Sequence, residues 1–316
     1  MSPSIAPALV LDVEHVTQYS YAAPVELAHH LAYLRPLDTA WQSVESFDLQ
    51  VQPEPMHRTE SSDHLGNHRT CFTVSLPHRE LEVSSRSRVR VTAPPAFDPA
   101  STLPWETVQE RLRYAAGRAF VPASEFVHAS PFVPALPALA DWAASAFVPG
   151  RPVALVGIAL MAQLHAEFSY RSASTAIDTP LSEALEQREG VCQDFAHLLI
   201  GALRSHGLAA RYVSGYLLTA PPQGFGAATQ TGAAAAPWLG ADASHAWAAL
   251  WCPRAEASAD PAGDWLELDP TNNVMPALGH VRLAYGRDYG DVTPLRGVIR
   301  GGGEHQLEVH VRTGLA

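Results

Sequence analysis

Cys192, His245 and Asp269 follow one another along the chain, and they are the residue types with which a thiol is made to attack a carbonyl. The thiolate is the attacking species. A histidine can take and return its proton, and a carboxylate can fix the imidazole tautomer and stabilise its cation. Cys192 lies in the stretch Gly190-Val191-Cys192-Gln193-Asp194-Phe195-Ala196-His197, where it reads as the opening residue of an amphipathic helix. Unpaired backbone N–H groups and the macrodipole favour negative charge at such a terminus.

The elements that must position these groups are legible from periodicity. Phe195, Leu198, Leu199, Ala202 and Leu203 fall on one helical stripe, with Cys192 at its rim one turn earlier. Gly207 is placed to end the helix, and Arg204 and His206 suit its negative end. Asp194 sits in the first turn, where the dipole favours a carboxylate that would oppose a thiolate. Ala243 to Trp251 reads as a strand whose alternation puts His245, Trp247, Ala249 and Trp251 on one face. Asp264 to Asp269 reads as a second strand, stopped by Pro270. An antiparallel pairing of the two, through the polar connection from Pro253 to Gly263, would bring Asp269 to His245. Each residue alone has a plainer reading: a buried inert thiol, a satisfied strand histidine, and a turn-forming aspartate before Pro-Thr-Asn. The ordered set is what favours chemistry.

These residues resemble a family. Gly190 to His197, Arg211-Tyr212-Val213-Ser214-Gly215-Tyr216, Ser244-His245-Ala246-Trp247 and Asp269-Pro270-Thr271-Asn272 look like the core of the bacterial transglutaminase-like superfamily. Glu14 to Tyr21, His29-His30-Leu31 and Leu34-Arg35-Pro36 resemble the N-terminal β domain that precedes this core in one bacterial subfamily. Gly286 to Val292 and Pro294-Leu295-Arg296-Gly297 resemble its C-terminal signature. The resemblance implies a papain-like α+β core with Cys192 as nucleophile, His245 as general base and acid, and Asp269 as the orienting carboxylate. It also sets Asp288, Tyr289 and Arg296 at the border of the cleft. Two departures stand out. Ala248-Ala249-Leu250 occupies a stretch where the family often has an acidic residue, and the loop from Ala220 to Asp242 is long and rich in Ala and Gly.

Composition narrows the function classes. With 316 residues, 47% hydrophobic and 17% charged, the chain can bury a large core and is expected to form two units. A net charge of −11 without any basic run argues against nucleic acid and anionic membrane as partners. Cys71, Cys192 and Cys252 are an odd set that suits free thiols in a reducing compartment. Met1 to Pro7 lacks the basic start and apolar run of a signal peptide, and the apolar stretch from Pro152 to Ala162 is too short to span a bilayer. A cytoplasmic location is the expectation.

Residues 1–95 carry short alternating strands, including Phe47 to Val51, Thr70 to Val74 and Leu81 to Val83, with a turn at Asp63 to His68. They are expected to form an antiparallel β-sandwich, linked through Thr92 to Pro99 to a catalytic unit over residues 96–316. In that unit, Trp105 to Ala116, Ala135 to Phe147 and Val153 to Phe168 carry helical periods. A loop then leads to the Cys192 helix packed on an antiparallel sheet, and alternation returns from His280 to Arg312.

Other constellations are weaker. His29 and His30 are adjacent, so in a strand they face opposite ways, and His64 and His68 bracket a turn; no HExxH or paired CxxC accompanies them, so neither metal nor cofactor is expected. His197 lies five residues beyond Cys192 and faces away around the helix. Cys71 and Cys252 fall in strand-like runs and read as inert thiols. Gly301-Gly302-Gly303 lacks the lysine and helix of a phosphate loop.

The expected activity is thiol-dependent acyl transfer on amide or peptide bonds through a thioester, with a peptide or protein as substrate. Hydrolysis is favoured over transamidation, because no calcium-loop pattern is present. The Cys192 N–H is the expected first oxyanion donor; Gln187 and Tyr170 are weighed as the second. The competing reading is a non-catalytic peptide-binding or scaffolding module built on the same fold.

Overall fold

The alternation from Ala8 to Ala32 produces one 25-residue strand, β1, on which the N-terminal part of the computed structural model is built. The structure describes residues 7–94, 98–171, 179–219, 239, 244–254 and 264–316. After β1 come β2 (Gln42–Gln52), β3 (His57–Ser62), β4 (His68–Val74) and β5 (His78–Thr92), in the antiparallel order β2-β5-β1-β4-β3. The first half of β1, Ala8 to Ser20, runs beside β5, and its last turn of chain, Ala28 to Ala32, runs beside β4. Pro24, which has no N–H to give a ladder, sits where the partner changes. Inward side chains from both halves, including Val25, Ala28, Leu49, Phe72, Val74, Leu81 and Val83, then close on one apolar cluster.

A helical layer follows. It comprises α1 (Trp105–Leu112), α2 (Pro137–Ala143), α3 (Val153–Glu167), the short strand β6 (Ser169–Tyr170), α4 (Leu181–Gln187), the short strand β7 (Glu189–Gly190) and α5 (Cys192–Ser205). Two helices are shorter than their apolar period. α1 stops at Leu112, where Arg118 reaches back to the Glu110 carbonyl at 2.8 Å and occupies an acceptor that a further turn would need. α2 begins only at Pro137, because a proline disfavours helical backbone in the residue before it and Leu136 is extended. α4 stands where a loop was expected. Its seven residues bury Leu181, Ala184 and Leu185, a one-turn stripe too short to register as a period. Gly207 ends α5 as expected, with φ +72°.

Against α5 lies a second antiparallel sheet made of β8 (Ala210–Leu217), β9 (His245–Trp251), β10 (Trp265–Leu268) and β11 (His280–Gly286), in the order β10-β9-β8-β11. Ala246, Ala248 and Leu250 of β9 join the helical core, while Trp247 and Ala249 pack on the opposite face with Val213. The final strands, β12 (Leu295–Gly301) and β13 (His305–Leu315), return to β1 rather than to the sheet under α5. Gly301, Gly302 and Gly303, with φ of +94°, +85° and +65°, form the turn between them. Leu11, Val13, Val89 and Val91 of the first sheet share a cluster with Tyr216, Val281 and Leu283 of the second, so the two parts bury surface against each other. Residues 95–97 of the expected linker lie outside the described residues. So do the long loop, apart from Leu239 and the positions from 244, and residues 255–263 of the β9–β10 connection. Among the described residues, no helix is long and apolar enough to cross a membrane.

Gly215 is the tightest point of the second sheet. A Cβ there would overlap both the Val281 carbonyl oxygen and the Trp247 ring. Gly215→Ala is therefore expected to destabilise the fold by about 1–3 kcal/mol, the range of an overpacked core. A urea unfolding midpoint equal to that of the unaltered chain would refute this.

Candidate active site

The start of α5 is fixed by its own first turn. Asp194, buried, turns its Oδ2 back to accept the Val191 N–H at 2.9 Å, which satisfies one of the orphan donors of the helix. The carboxylate that the dipole favours there is thus engaged in capping the helix. Gly190 makes room for it: a Cβ would stand 2.7 Å from that oxygen. Cys192 follows, half-buried, with its Sγ 3.9 Å from the carbonyl oxygen of Ser244. Ser244 immediately precedes β9, so the sulfur sits at the strand end that presents His245.

His245 is buried, and its Nε2 is 2.9 Å from Asp269 Oδ2. Its other ring nitrogen, Nδ1, closes no hydrogen bond. Burial pushes the imidazole pKa down, but the Asp269 charge and hydrogen bond, with a further contribution from the Cys192 sulfur, overturn that and raise it well above the usual histidine value.

Asp269 is fully buried at the end of β10, where Leu268 is the last residue paired with β9. Its Oδ1 accepts the backbone N–H groups of Thr271 at 3.0 Å and Asn272 at 3.2 Å, an Asx-type turn that follows from Asp-Pro-Thr-Asn. Oδ2 takes three side-chain donors: His245, the Asn272 amide at 2.9 Å and His280 Nε2 at 3.2 Å. Burial raises this carboxyl, but the charge of His245 and the hydrogen bonds from the two histidines prevail and hold it far below the usual carboxylate range. Because the carboxylate is ionised, both histidines must carry their proton on Nε2.

His280 was absent from the residues singled out in the sequence. Its only signal is alternation in the strand after the Asp-Pro-Thr-Asn turn, and nothing local says that β11 lies beside β8. Trp247 forms part of the floor, with its indole N–H on Glu267 Oε2 at 2.9 Å. Glu267 in turn holds buried Arg282 at 3.0 Å.

His197 is buried and accepts the Tyr289 N–H at 3.1 Å; burial takes its pKa down to about 4. Asp288 is fully buried and binds the N–H groups of Phe132 and Gly290, both at 2.9 Å, which makes it a structural tie. Arg296 donates to the Gly290 carbonyl. Gln187 is exposed and bonded to Glu183, whereas Tyr170 lies half-buried with its ring against Phe195. His29 is exposed and His30 buried, on opposite faces of β1. Cys252 is buried and its pKa is above the usual thiol value. Among the described residues, no group of three or more His, Cys, Asp or Glu side chains is placed to hold a metal ion.

A thiol at a helix N-terminus beside an imidazole that is hydrogen-bonded to a buried carboxylate is an arrangement that can carry nucleophilic acyl chemistry. Comparison with known proteins bears on the fold and the family. Residues 11–90 match the bacterial transglutaminase-like N-terminal region, and residues 155–270 match the transglutaminase-like superfamily core. An uncharacterized protein of Mycobacterium tuberculosis strain H37Rv is 38% identical over 299 residues, covering 93% of this chain and 89% of its own. One of Mycobacterium leprae is 30% identical over 301 residues, covering 95% and 96%. A crystal structure of a candidate cysteine protease from Cytophaga hutchinsonii has the same fold, with a TM-score of 0.70 at 20% identity over 98% of this chain and 91% of that one. With both matched regions in order and a relative of this identity over nearly the whole length, the chain belongs to the transglutaminase-like superfamily, in the bacterial form that carries its own N-terminal region ahead of the core.

Proposed function

We propose that the protein is a cysteine acyl-transfer enzyme that hydrolyses amide bonds in a peptide or protein substrate. The observation that carries the reading is the buried His245–Asp269 pair, 2.9 Å apart, with the Cys192 sulfur beside the ring. Cys192 attacks the carbonyl as a thiolate, and its own backbone N–H steadies the oxyanion. The His245 imidazolium then gives a proton to the departing amine, and the acyl group remains as a thioester. Water, deprotonated by the now neutral imidazole, releases the acid and restores the thiol. Asp269 keeps the Nε2 tautomer, so that Nδ1 is the nitrogen that works toward the sulfur. Hydrolysis is preferred to transfer in this reading, in keeping with the description of the Cytophaga hutchinsonii protein. Three free cysteines are compatible with a reducing, cytoplasmic setting.

Exposure to a mixed peptide library followed by mass spectrometry should find acyl adducts on Cys192 and on neither Cys71 nor Cys252. Iodoacetamide should label Cys192 at pH 6, where an ordinary thiol is almost wholly protonated. Labelling no faster than that of a free thiol, together with no adduct, would return the fold to a binding role.

A further inference from the structure

Asp269 Oδ2 is shared by two histidines from different strands, His245 of β9 and His280 of β11, which stand on either side of β8. In register, His245 pairs with Gly215 and His280 with Leu217. Gly215 carries no side chain, and across that gap the Trp247 ring meets His280 edge-on at 5.3 Å. The two imidazoles are 6.4 Å apart between ring centres. His280 is 1% exposed, so its bond to the carboxylate is made away from water.

We propose that His280 is a positioning residue for the acyl-transfer reaction: its Nε2–H shares Asp269 Oδ2 with His245, and by drawing on the charge of that oxygen it sets how firmly His245 holds its proton. This rests on the roles proposed above for Cys192, His245 and Asp269. A carboxylate with fewer donors binds a neighbouring imidazolium more tightly, because less of its charge is dispersed. An imidazolium held too tightly is a poor acid toward a leaving amine. Thr271, Asn272 and the rest of the turn keep the carboxylate in place without His280, so the loss of this histidine changes chiefly the charge that His245 meets.

Among the described residues, the charged and titratable groups that act on the two histidines come from β9, β10, β11 and the start of α5. Asp269 and Cys192 act on His245; Asp269, His245 and Arg282 act on His280. Arg282 is neutralised by Glu267 from β10, whereas β8 offers only Gly215 and Leu217 at the paired positions. Burial and Arg282 oppose a charge on His280, and burial leads, so it serves as a neutral donor.

The test is a pH titration of the His245 ring by NMR on the full chain labelled with 15N-histidine, in the unaltered protein and in His280→Leu and His280→Gln. Leucine removes the donor; glutamine returns an N–H at nearly the position of Nε2. In His280→Leu the pH at which His245 loses its proton should rise by about one unit, the size of one hydrogen bond to a charged group. His280→Gln should bring it back to the unaltered value. An unmoved titration in His280→Leu, or an equal shift in both variants, overturns the proposal. Should His280→Leu fail to fold, His280→Asn, whose amide stops short of Oδ2, takes its place with the same expectations. Iodoacetamide labelling of unaltered Cys192 at the rate of a free thiol, together with no acyl adduct, would instead bring down the enzyme reading, and this proposal with it.

Discussion

Replacing Cys192 with alanine is expected to abolish acyl-adduct formation and to lower amide turnover by ~10⁴-fold or more, the scale at which loss of a nucleophile leaves only binding and oxyanion stabilisation. The fold tolerates the change. Cys192 is half-buried at the edge of the helical core, and its sulfur lies 3.9 Å from the Ser244 carbonyl oxygen and beside the His245 ring. Unfolding of Cys192→Ala should therefore stay within about 1 kcal/mol of the unaltered chain, as for substitutions that empty no core site. The two measurements together separate chemistry from collapse. Turnover that survives in a folded Cys192→Ala protein would end the thiol mechanism outright.

Replacing Asp269 with asparagine is expected to have the second large effect, on both activity and stability. Oδ1 accepts two backbone N–H groups and Oδ2 accepts three side-chain donors. An amide in either orientation turns its NH₂ toward groups that also donate. With the amide oxygen kept on the two backbone N–H groups, the NH₂ faces His245, whose Nε2 tautomer loses its acceptor, and turnover is expected to fall by ~10⁴-fold, as when the orienting carboxylate of a triad is made neutral. Breaking a buried charged pair at one partner should cost about 3–5 kcal/mol.

The pH dependence of that cost follows from the two shifts. The Asp269 carboxyl is lowered in the fold, so its contribution is present above the unfolded value near ~3.9 and is lost as pH falls through the folded one. His245 is raised, so its contribution is complete below the unfolded value near ~6.5 and is lost as pH rises through the folded one. The stability gap between the unaltered chain and Asp269→Asn should thus be widest between about pH 4 and pH 6.5 and should narrow on the alkaline side. Denaturant titrations at pH 5.5 and pH 10 measure it, and an equal gap at both would contradict the assigned charges.

Much of the second sheet was legible because its determinants are local. The stripe from Phe195 to Leu203 gives α5, Gly207 ends it, Pro270 stops the strand carrying Asp269, and alternation in Ala243 to Trp251 gives β9, which starts at His245. The antiparallel pairing of β9 with β10 also followed from the chain, since two strands joined by one connection have a near neighbour to pair with. The ends of α1 and α2 and the existence of α4 were harder, because each turns on a contact or backbone restriction at one or two residues.

By itself, then, the sequence determined the order of thiol, imidazole and carboxylate, the helix and strands that bear them, and the family resemblance those motifs carry. Only the tertiary structure decided that β11 lies next to β8 and delivers His280 to Asp269, and that β12 and β13 run back to β1 across nearly the whole chain. Periodicity reports which face of an element is buried, and it is a property of neighbours in the chain. Which strand lies on the far side of another depends on apolar faces that close only when distant segments meet, as Leu11, Val89, Tyr216 and Val281 do here. No local pattern records that meeting.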